Sequence, residues 1–360
     1  MNLLFLVPFS HSFMAYPIQR WKKALTDQNL NFKISNSWPR TLSDFDVVFL
    51  TSAFCVAQRN KGNLIPGGVY NSNMDYARAC IEYIRSAKAK VIFFDARDGA
   101  PSNFFPLLPF VDVFLKRQAL KDRELYLTQA HAYYSPDWMD ESPRREFPCA
   151  GREYLDRISV GWNIGLEPFG VLRKLEKILA WRGITLKQYA NSVDSVRPYL
   201  TSFRGSFGGS RAKHRNAAMT QLMEMGRPDI LLGRPVNRLQ YISEMKRSKA
   251  IVSPFGFGEP CFRDYEAFMS GALLVKPNMS HLEVYPDIYR ENQTYLPVRW
   301  DFSDLSEVLQ RININEDRRR DVARTAQNVY LPFVKSPDFF VDHMQNIISR
   351  LHAHQCARTQ

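Results

Sequence analysis

Short apolar runs alternate with segments of helical periodicity along most of the chain. In the first half the runs are LLFLVPF, DVVFLTSAF, VIFFDARDGAP and VDVFLKR, and the amphipathic segment MDYARACIEYIRSAKAK lies between the second and third. Strand, helix and strand at this spacing are typical of βαβ units, which build parallel sheets. The pattern therefore constrains the chain to an α/β fold.

The second half repeats the alternation with RPYLTSFRGS, DILLG, AIVSPFG and ALLVKP as strands and three helical segments between them. An amphipathic helix, DFFVDHMQNIISRLHA, follows near the end of the chain. We predict two Rossmann-like doubly wound domains facing each other across a cleft, with the last helix packing back on the first domain. The predicted boundaries are 1–160, 161–336 and 337–360.

The composition bounds the partners and the compartment. The net charge of +12 predicts an anionic partner, which leaves nucleic acid, phosphorylated small molecules and an anionic membrane surface open. Five scattered cysteines without a C-x-x-C pair fit reduced thiols. No signal peptide and no apolar run of about 20 residues is found. We expect a cytoplasmic protein, or one that is peripheral at the inner face of the membrane.

The stretch SPFGFGEPCFRDYEAFMSGALLVKPN, residues 253–278, places glycines, an arginine and carboxylates where a strand ends and a helix begins. Ligands of open α/β sheets bind at such carboxyl ends, near helix N-termini. Gly256 and Gly258 allow close approach of the backbone, and Arg263 can pair with phosphate oxygens. Glu266 can accept hydrogen bonds from the vicinal diol of a ribose. The alternatives are a surface position for Glu266 and a salt bridge between it and Arg263.

A second junction of this kind is SFRGSFGGSR, residues 202–211. Arg204 leaves a strand into Gly205 and Ser206, and the helix that carries Lys213 and Arg215 follows. Two junctions with glycines and arginines suit a diphosphate better than one. Each junction alone is also compatible with an ordinary structural turn.

Residues 241–283 resemble the donor-binding domain of GT-B glycosyltransferases, most closely the exostosin-like and bacterial family-one-like members. The matching positions are Tyr241, Ser248, Lys249, Pro254, Gly256, Arg263, Glu266, Ala267, Gly271 and Pro277. The stretch SFRGS resembles the phosphate-contacting strand that opens the same domain.

The resemblance implies a nucleotide-sugar donor with Glu266 on the ribose, Arg204 and Arg263 near the diphosphate, and Lys276, Asn278 or His281 near the sugar. Retaining members carry two glutamates separated by seven residues, whereas Glu259 and Glu266 are separated by six. Glu266 is therefore carried over ahead of Glu259, which stays among the donor-binding candidates although it does not match this spacing, and the stereochemical outcome stays open. The resemblance implies no cofactor besides the nucleotide-sugar co-substrate.

Sugar transfer also needs a base for the acceptor hydroxyl. Asp98, in FFDARDGAPS, and His11, in PFSHSF, each follow a strand of the first domain, where a base can reach the cleft. The alternative for Asp98 is a turn or helix cap, and for His11 a hydrogen bond within a loop.

No metal requirement is predicted. Asp44 and Asp46 form an Asp-x-Asp pair, but they precede their strand, whereas the metal-binding pairs of another class of glycosyltransferase follow one. The histidines lack metal-ligand spacing.

The sequence thus predicts a metal-independent hexosyl- or pentosyltransferase that moves a sugar from a nucleotide-diphosphate donor to a glycan, lipid-linked or protein acceptor. One alternative is a nucleic-acid-binding protein, which the spread of basic residues over both halves disfavours. The other is an inactive relative that binds nucleotide or glycan without turnover.

Overall fold

The structure is a computed structural model that describes residues 1–9, 12–62, 70–128, 147–169, 172–184, 190–205 and 212–356. The strands are β1 (Asn2–Leu6), β2 (Asn31–Ser35), β3 (Val47–Thr51), β4 (Lys90–Asp95), β5 (Val113–Lys116), β6 (Gln118–Leu120), β7 (Ile158–Val160), β8 (Tyr199–Arg204), β9 (Ile230–Gly233), β10 (Ser248–Val252), β11 (Leu273–Pro277), β12 (Leu282–Val284) and β13 (Tyr295–Val298).

The helices connect these strands. They are α1 (Tyr16–Arg20), α2 (Lys22–Asp27), α3 (Ser52–Asn60), α4 (Asn73–Ser86), α5 (Arg173–Trp181), α6 (Ala212–Glu224), α7 (Arg238–Arg247), α8 (Phe262–Ser270), α9 (Leu305–Ile314), α10 (Glu316–Lys335) and α11 (Asp338–Cys356). Short 3-10 turns occupy Phe105–Phe110, Arg123–Leu127, Arg152–Arg157 and Ile164–Leu166.

The first half of the chain forms a six-stranded parallel sheet in the order β2-β1-β3-β4-β5-β7. The central strand β3 is buried along its whole length, as its unbroken apolar sequence requires in a sheet covered on both faces. The order reverses between β1 and β3, which opens a crevice at their carboxyl ends. The edge strand β2, NFKIS, alternates in polarity and lies outside the runs that predicted strands.

The second half forms a five-stranded parallel sheet in the order β13-β11-β10-β8-β9. Its reversal point lies between β8 and β10, the two strands whose carboxyl ends carry the predicted glycine and arginine junctions. Helix α8 ends at Gly271, whose φ of 68° places it in the left-handed region that glycine adopts without strain.

The last helix returns to the first sheet. Phe340, Met344 and Ile347 of α11 belong to the same apolar core as Leu3 and Phe5 of β1. The predicted α/β architecture, with two Rossmann-like sheets facing a cleft and a C-terminal helix on the first, is confirmed. The exact boundaries 1–160, 161–336 and 337–360 stay a prediction.

A two-stranded antiparallel ribbon of β6 and β12 joins the two halves. Each strand has only three residues, too few to give a recognisable alternation, and the sequence did not predict it. Within the described residues, no helix combines the length and apolar character that crossing a bilayer requires.

Candidate functional site

A cavity of about 520 Å³ lies between the two halves, at the carboxyl end of β10. Its lining comes from Phe13, Asp98, Arg117 and Ile164 on one side and from Arg173, Arg215, Arg238, Tyr241, Ser253, Pro254, Gly256, Phe257, Gly258, Pro260, Cys261, Phe262, Arg263 and Glu266 on the other. Five arginines and two carboxylates among these residues make the cavity cationic. A volume of this size suits a small ligand, and its charge selects an anion.

A buried ion pair fixes the start of α8 at the cavity. Asp264 accepts hydrogen bonds from Ser253 Oγ at 2.5 Å, Tyr289 Oη at 2.6 Å and the Cys261 backbone N–H at 2.9 Å. Its Oδ2 also lies 3.1 Å from Lys276 Nζ, and both side chains are fully buried. The structure therefore places Lys276, a predicted donor-binding residue, beneath the loop rather than in the cavity lining.

Glu266 reaches the cavity from the second turn of α8 and is only 8% exposed. Arg238 donates to Oε1 at 2.6 Å, and the Tyr241 hydroxyl donates to Oε2 at 2.9 Å. A carboxylate oxygen has two lone pairs, so each oxygen keeps one for a further donor. The carboxylate is held rigidly and can still accept two hydrogen bonds from a ligand.

Arg263 is not the salt-bridge partner of Glu266. Its guanidinium donates to the backbone carbonyl of Arg204 at 2.5 Å and to that of Val252 at 3.5 Å. Among the described residues no carboxylate lies within ion-pair distance of it. The side chain is thus oriented by neutral acceptors, and its positive charge is left uncompensated at the wall of the cavity.

Arg204 and Gly205 lie outside the cavity lining. The guanidinium of Arg204 forms a fork with Glu244 of α7, with Nε and Nη2 at 2.8 and 2.9 Å from the two carboxylate oxygens. Arg204 also donates to the carbonyl of Leu232. The arginine predicted near the diphosphate is therefore already paired, and it contributes its backbone carbonyl to the orientation of Arg263. Ser206 lies outside the described residues.

Asp98 lines the cavity from the loop after β4, in the first half of the chain, whereas Glu266 lines it from the second half. Its Oδ1 accepts from Arg117 Nη1 at 2.5 Å, and its side chain is 42% exposed. Oδ2 makes no hydrogen bond within the described part of the chain. His11, the other predicted base, lies outside the described residues.

Asp95, three residues before Asp98, has a structural role. It accepts hydrogen bonds from Ser102 Oγ at 2.5 Å and from Lys116 Nζ at 2.9 Å, and it is fully buried. Burial raises the pKa of Asp95, but the positive charges of Lys116 and Arg97 outweigh it and hold that pKa below its usual range. The ionised Asp95 fixes the loop that presents Asp98.

Position 258 requires glycine because the two halves of the chain are in close contact there, which leaves no room for a Cβ atom. A Cβ at Gly258 would lie 2.9 Å from the backbone nitrogen of Gly99 and 3.2 Å from Asp98 Cβ. The chain segment that approaches the backbone of Gly258 closely is therefore the loop that carries Asp98. At Gly256 a Cβ would meet Cys261 Sγ at 3.2 Å, so this glycine allows the loop to fold on itself.

Glu259 is fully buried and does not line the cavity. Gln118 of β6 donates to Oε2 at 3.1 Å, and Oε1 makes no hydrogen bond among the described residues. Burial raises the pKa of the Glu259 carboxyl to about 7, and the hydrogen bond from Gln118 and the charges of Lys116 and Lys276 only partly oppose this. Glu259 belongs to the contact between the halves, and near neutral pH it takes up a proton.

We expect Glu259→Gln to change the pH dependence of stability. The folded-state pKa lies above the usual 4.5, so the stability that protonation gives is complete below pH 4.5 and is lost as the pH rises through about 7. Gln cannot ionise, so the variant should match wild type below about pH 4 and exceed its unfolding free energy by about 3 kcal/mol above pH 8. Denaturant unfolding across this range measures the difference.

Glu244→Gln is the matched control with the opposite sign. Burial raises the pKa of Glu244, but its hydrogen bonds with Arg204 and Gln240 outweigh this and lower it. That variant should be less stable than wild type at pH 7, and the difference should shrink as the pH falls. A pH-independent difference for Glu259→Gln would contradict the buried, protonating carboxyl.

Four of the lining arginines were not among the predicted site residues: Arg117, Arg173, Arg215 and Arg238. Arg117 directly follows β5, so the rule that ligands bind at the carboxyl ends of parallel strands could have identified it. Arg238 lies one turn before Tyr241 on α7, which the resemblance includes, and Arg215 is on the helix after the second junction. Arg173 carries no signal in the sequence.

In the described ranges, no group of three or more histidine, cysteine or carboxylate side chains is placed to bind a metal ion. Asp46 Oδ2 accepts from the backbone N–H of Asn2 at 2.7 Å, and the Asp44 carbonyl accepts from the Asn2 side chain at 3.2 Å. These two residues hold the turn before β3. Whether the activity needs a metal stays a prediction.

No protein-family model matches the chain, and no curated protein matches its sequence. Among solved structures, the chain is similar to HepE of Anabaena in complex with UDP, with a TM-score of 0.48 and 9% identity over 97% of this chain and 99% of that one. A glycosyltransferase from Rickettsia africae gives a TM-score of 0.46 and 11% identity over 97% and 98%. An alpha-glucosyltransferase in complex with UDP and a DNA 13-mer gives 0.44 and 10% over 97% and 99%. Identities of 9 to 11% carry no information about individual side chains.

Proposed function

We propose that this protein transfers a sugar from a nucleotide-diphosphate donor to an acceptor hydroxyl in the cavity between its two sheets. The observation that carries the proposal is the pairing of an uncompensated guanidinium, Arg263, with a rigidly held carboxylate, Glu266, one helical turn apart at the reversal point of the second sheet. A guanidinium can pair with the oxygens of a diphosphate, and a carboxylate can accept hydrogen bonds from a ribose diol.

The arginines stabilise the leaving diphosphate in this proposal. Arg263 contacts its oxygens from the second sheet, and Arg173 and Arg215 add positive charge to the cavity lining. Fixed cations in a partly closed cavity stabilise the charge that develops as the glycosidic bond breaks. They provide the positive charge that a divalent cation provides in other transferases, which supports a metal-independent reaction.

The base of the proposed reaction is Asp98. It faces the donor side across the cavity, Arg117 fixes one oxygen, and the other is available to an acceptor hydroxyl. The acceptor, a glycan or a lipid-linked glycan, would enter from the side of the first sheet.

A nucleotide panel tests the proposal. The melting temperature is measured with UDP, GDP, ADP, CMP and their sugar conjugates. One diphosphate nucleotide should stabilise the fold by about 2.7 kcal/mol at a concentration of 100 Kd. Consumption of the matching nucleotide-sugar with an acceptor would then show turnover. Equal and weak effects of every nucleotide, with tight binding of single-stranded DNA or RNA, would replace the proposal with the nucleic-acid alternative.

A further inference from the structure

Helix α5 presents an apolar face to solvent. Three of its residues, Leu175, Ile178 and Trp181, are each about half exposed, at 47 to 51%. Leu172 before the helix and Ile184 after it are exposed by 58 and 50%. These five side chains, which we name the α5 patch, are exposed apolar residues within a span of 13 positions, and exposed apolar residues grouped in this way often mark an interaction surface.

The exposed charges within residues 172–184 have one sign. Lys174 and Arg182 are exposed between the apolar residues. The single acidic residue of the helix, Glu176, is buried, where it accepts hydrogen bonds from Tyr16 at 2.6 Å and from Arg20 at 2.9 Å. Every exposed side chain of α5 is thus apolar or cationic.

We infer that the α5 patch docks the protein on an anionic lipid bilayer. A helix with exposed Trp, Leu and Ile beside Lys and Arg lies in the interface of such a membrane, where the apolar groups enter the acyl boundary and the cations meet lipid phosphates. A second copy of the chain is a poorer partner, because a symmetric contact would bring Lys174 and Arg182 of both copies together. The inference does not depend on the proposed function.

The position of α5 connects this surface to the cavity. Arg173, its first residue, lines the cavity, and the helix of nine residues is only about 14 Å long. A bilayer that contacts the α5 patch therefore lies close to the opening between the two halves. Under the proposed function, an acceptor anchored in that bilayer would reach the cavity without leaving the membrane.

Flotation of the full chain with vesicles tests the docking surface in the absence of any nucleotide. Vesicles of phosphatidylglycerol and phosphatidylcholine should bind wild type, vesicles of phosphatidylcholine alone should bind it far less, and high salt should release it. The variant L175S/I178S/W181S should lower the partition coefficient by about 30- to 100-fold. The control I314S/M223S removes two side chains that are 84 and 65% exposed elsewhere, and it should leave binding unchanged.

A charge-reversal pair separates local from overall electrostatics. K174E/R182E should lower anionic-vesicle binding by about tenfold or more, whereas K61E/K88E, with the same change in net charge, should stay within about threefold of wild type. The inference is overturned if the triple variant binds as wild type does, or if both charge reversals act equally. It is also overturned if wild type binds no vesicles and its sedimentation shows a dimer that the triple variant abolishes. Nucleotide-induced stabilisation, measured on each variant, is independent of all these outcomes.

Discussion

Asp98→Asn is expected to lower the turnover number of sugar transfer by about 100- to 10,000-fold, because general-base catalysis contributes a factor of this size. The Michaelis constant for the donor and the nucleotide-induced stabilisation should stay near wild type, since Asp98 comes from the first half of the chain, whereas Arg263 and Glu266 come from the second. Asparagine keeps the size of the side chain and a hydrogen-bonding oxygen for Arg117. Steady-state kinetics at saturating donor measure the effect.

Asp112→Asn is the matched control. Asp112 directly precedes β5 of the first sheet and pairs with Arg85 at 3.6 Å. It therefore lies at the amino ends of the strands and does not line the cavity. Its replacement should leave the turnover number unchanged. Arg117→Gln tests whether Asp98 only anchors this arginine. If Asp98→Asn and Arg117→Gln lose equal activity, the carboxylate is a positioning residue, and if Asp98→Asn retains full turnover it is not the base.

Glu266→Gln is expected to weaken binding of the nucleotide by about 10- to 100-fold, the cost of losing hydrogen bonds to a charged acceptor. The amide keeps the shape of the side chain, but its NH2 group donates hydrogen bonds where the carboxylate has a second accepting oxygen. It therefore cannot accept hydrogen bonds from both hydroxyls of a diol. The melting temperature without ligand should change little in comparison. Calorimetric titration with the nucleotide selected from the panel measures the affinity.

Glu244→Gln makes this prediction specific. Glu244 and Glu266 are both glutamates of helices in the second half, both are buried, and each pairs with an arginine. Only Glu266 lines the cavity. Glu244→Gln should therefore keep its nucleotide affinity within a few fold of wild type. If Glu244→Gln instead weakens nucleotide binding and Glu266→Gln does not, the diphosphate binds at Arg204, as the sequence predicted, and Glu266 is not part of the donor site.

The resemblance and the strand-end rule were most informative around residues 253–266. They singled out Gly256, Arg263 and Glu266, and all three line the cavity. They were less informative for Lys276, whose predicted contact with the donor is replaced by a buried ion pair with Asp264. A lysine at the end of a strand has the same sequence signature whether it points to a ligand or to a carboxylate beneath a loop.

Glu259 illustrates the same limit. Its spacing from Glu266 suggested a second donor-binding carboxylate, whereas the structure buries it against Gln118 of the first half. That contact joins residues 141 positions apart. No local pattern could predict it, and the same holds for the ribbon of β6 and β12.

The sequence by itself determined the alternation of strands and helices that builds two parallel sheets, and the presence of arginines at both junctions, because apolar periodicity and strand ends are local properties of the chain. Only the tertiary structure decided which arginine serves the cavity. Arg204 and Arg263 have similar positions at their junctions, but Glu244, 40 residues beyond Arg204, neutralises the first. Among the described residues Arg263 has no carboxylate within ion-pair distance, and it is held by two backbone carbonyls and the Phe203 ring. A charge is available to a ligand only when no nearer opposite charge binds it, and that depends on which distant segments fold together.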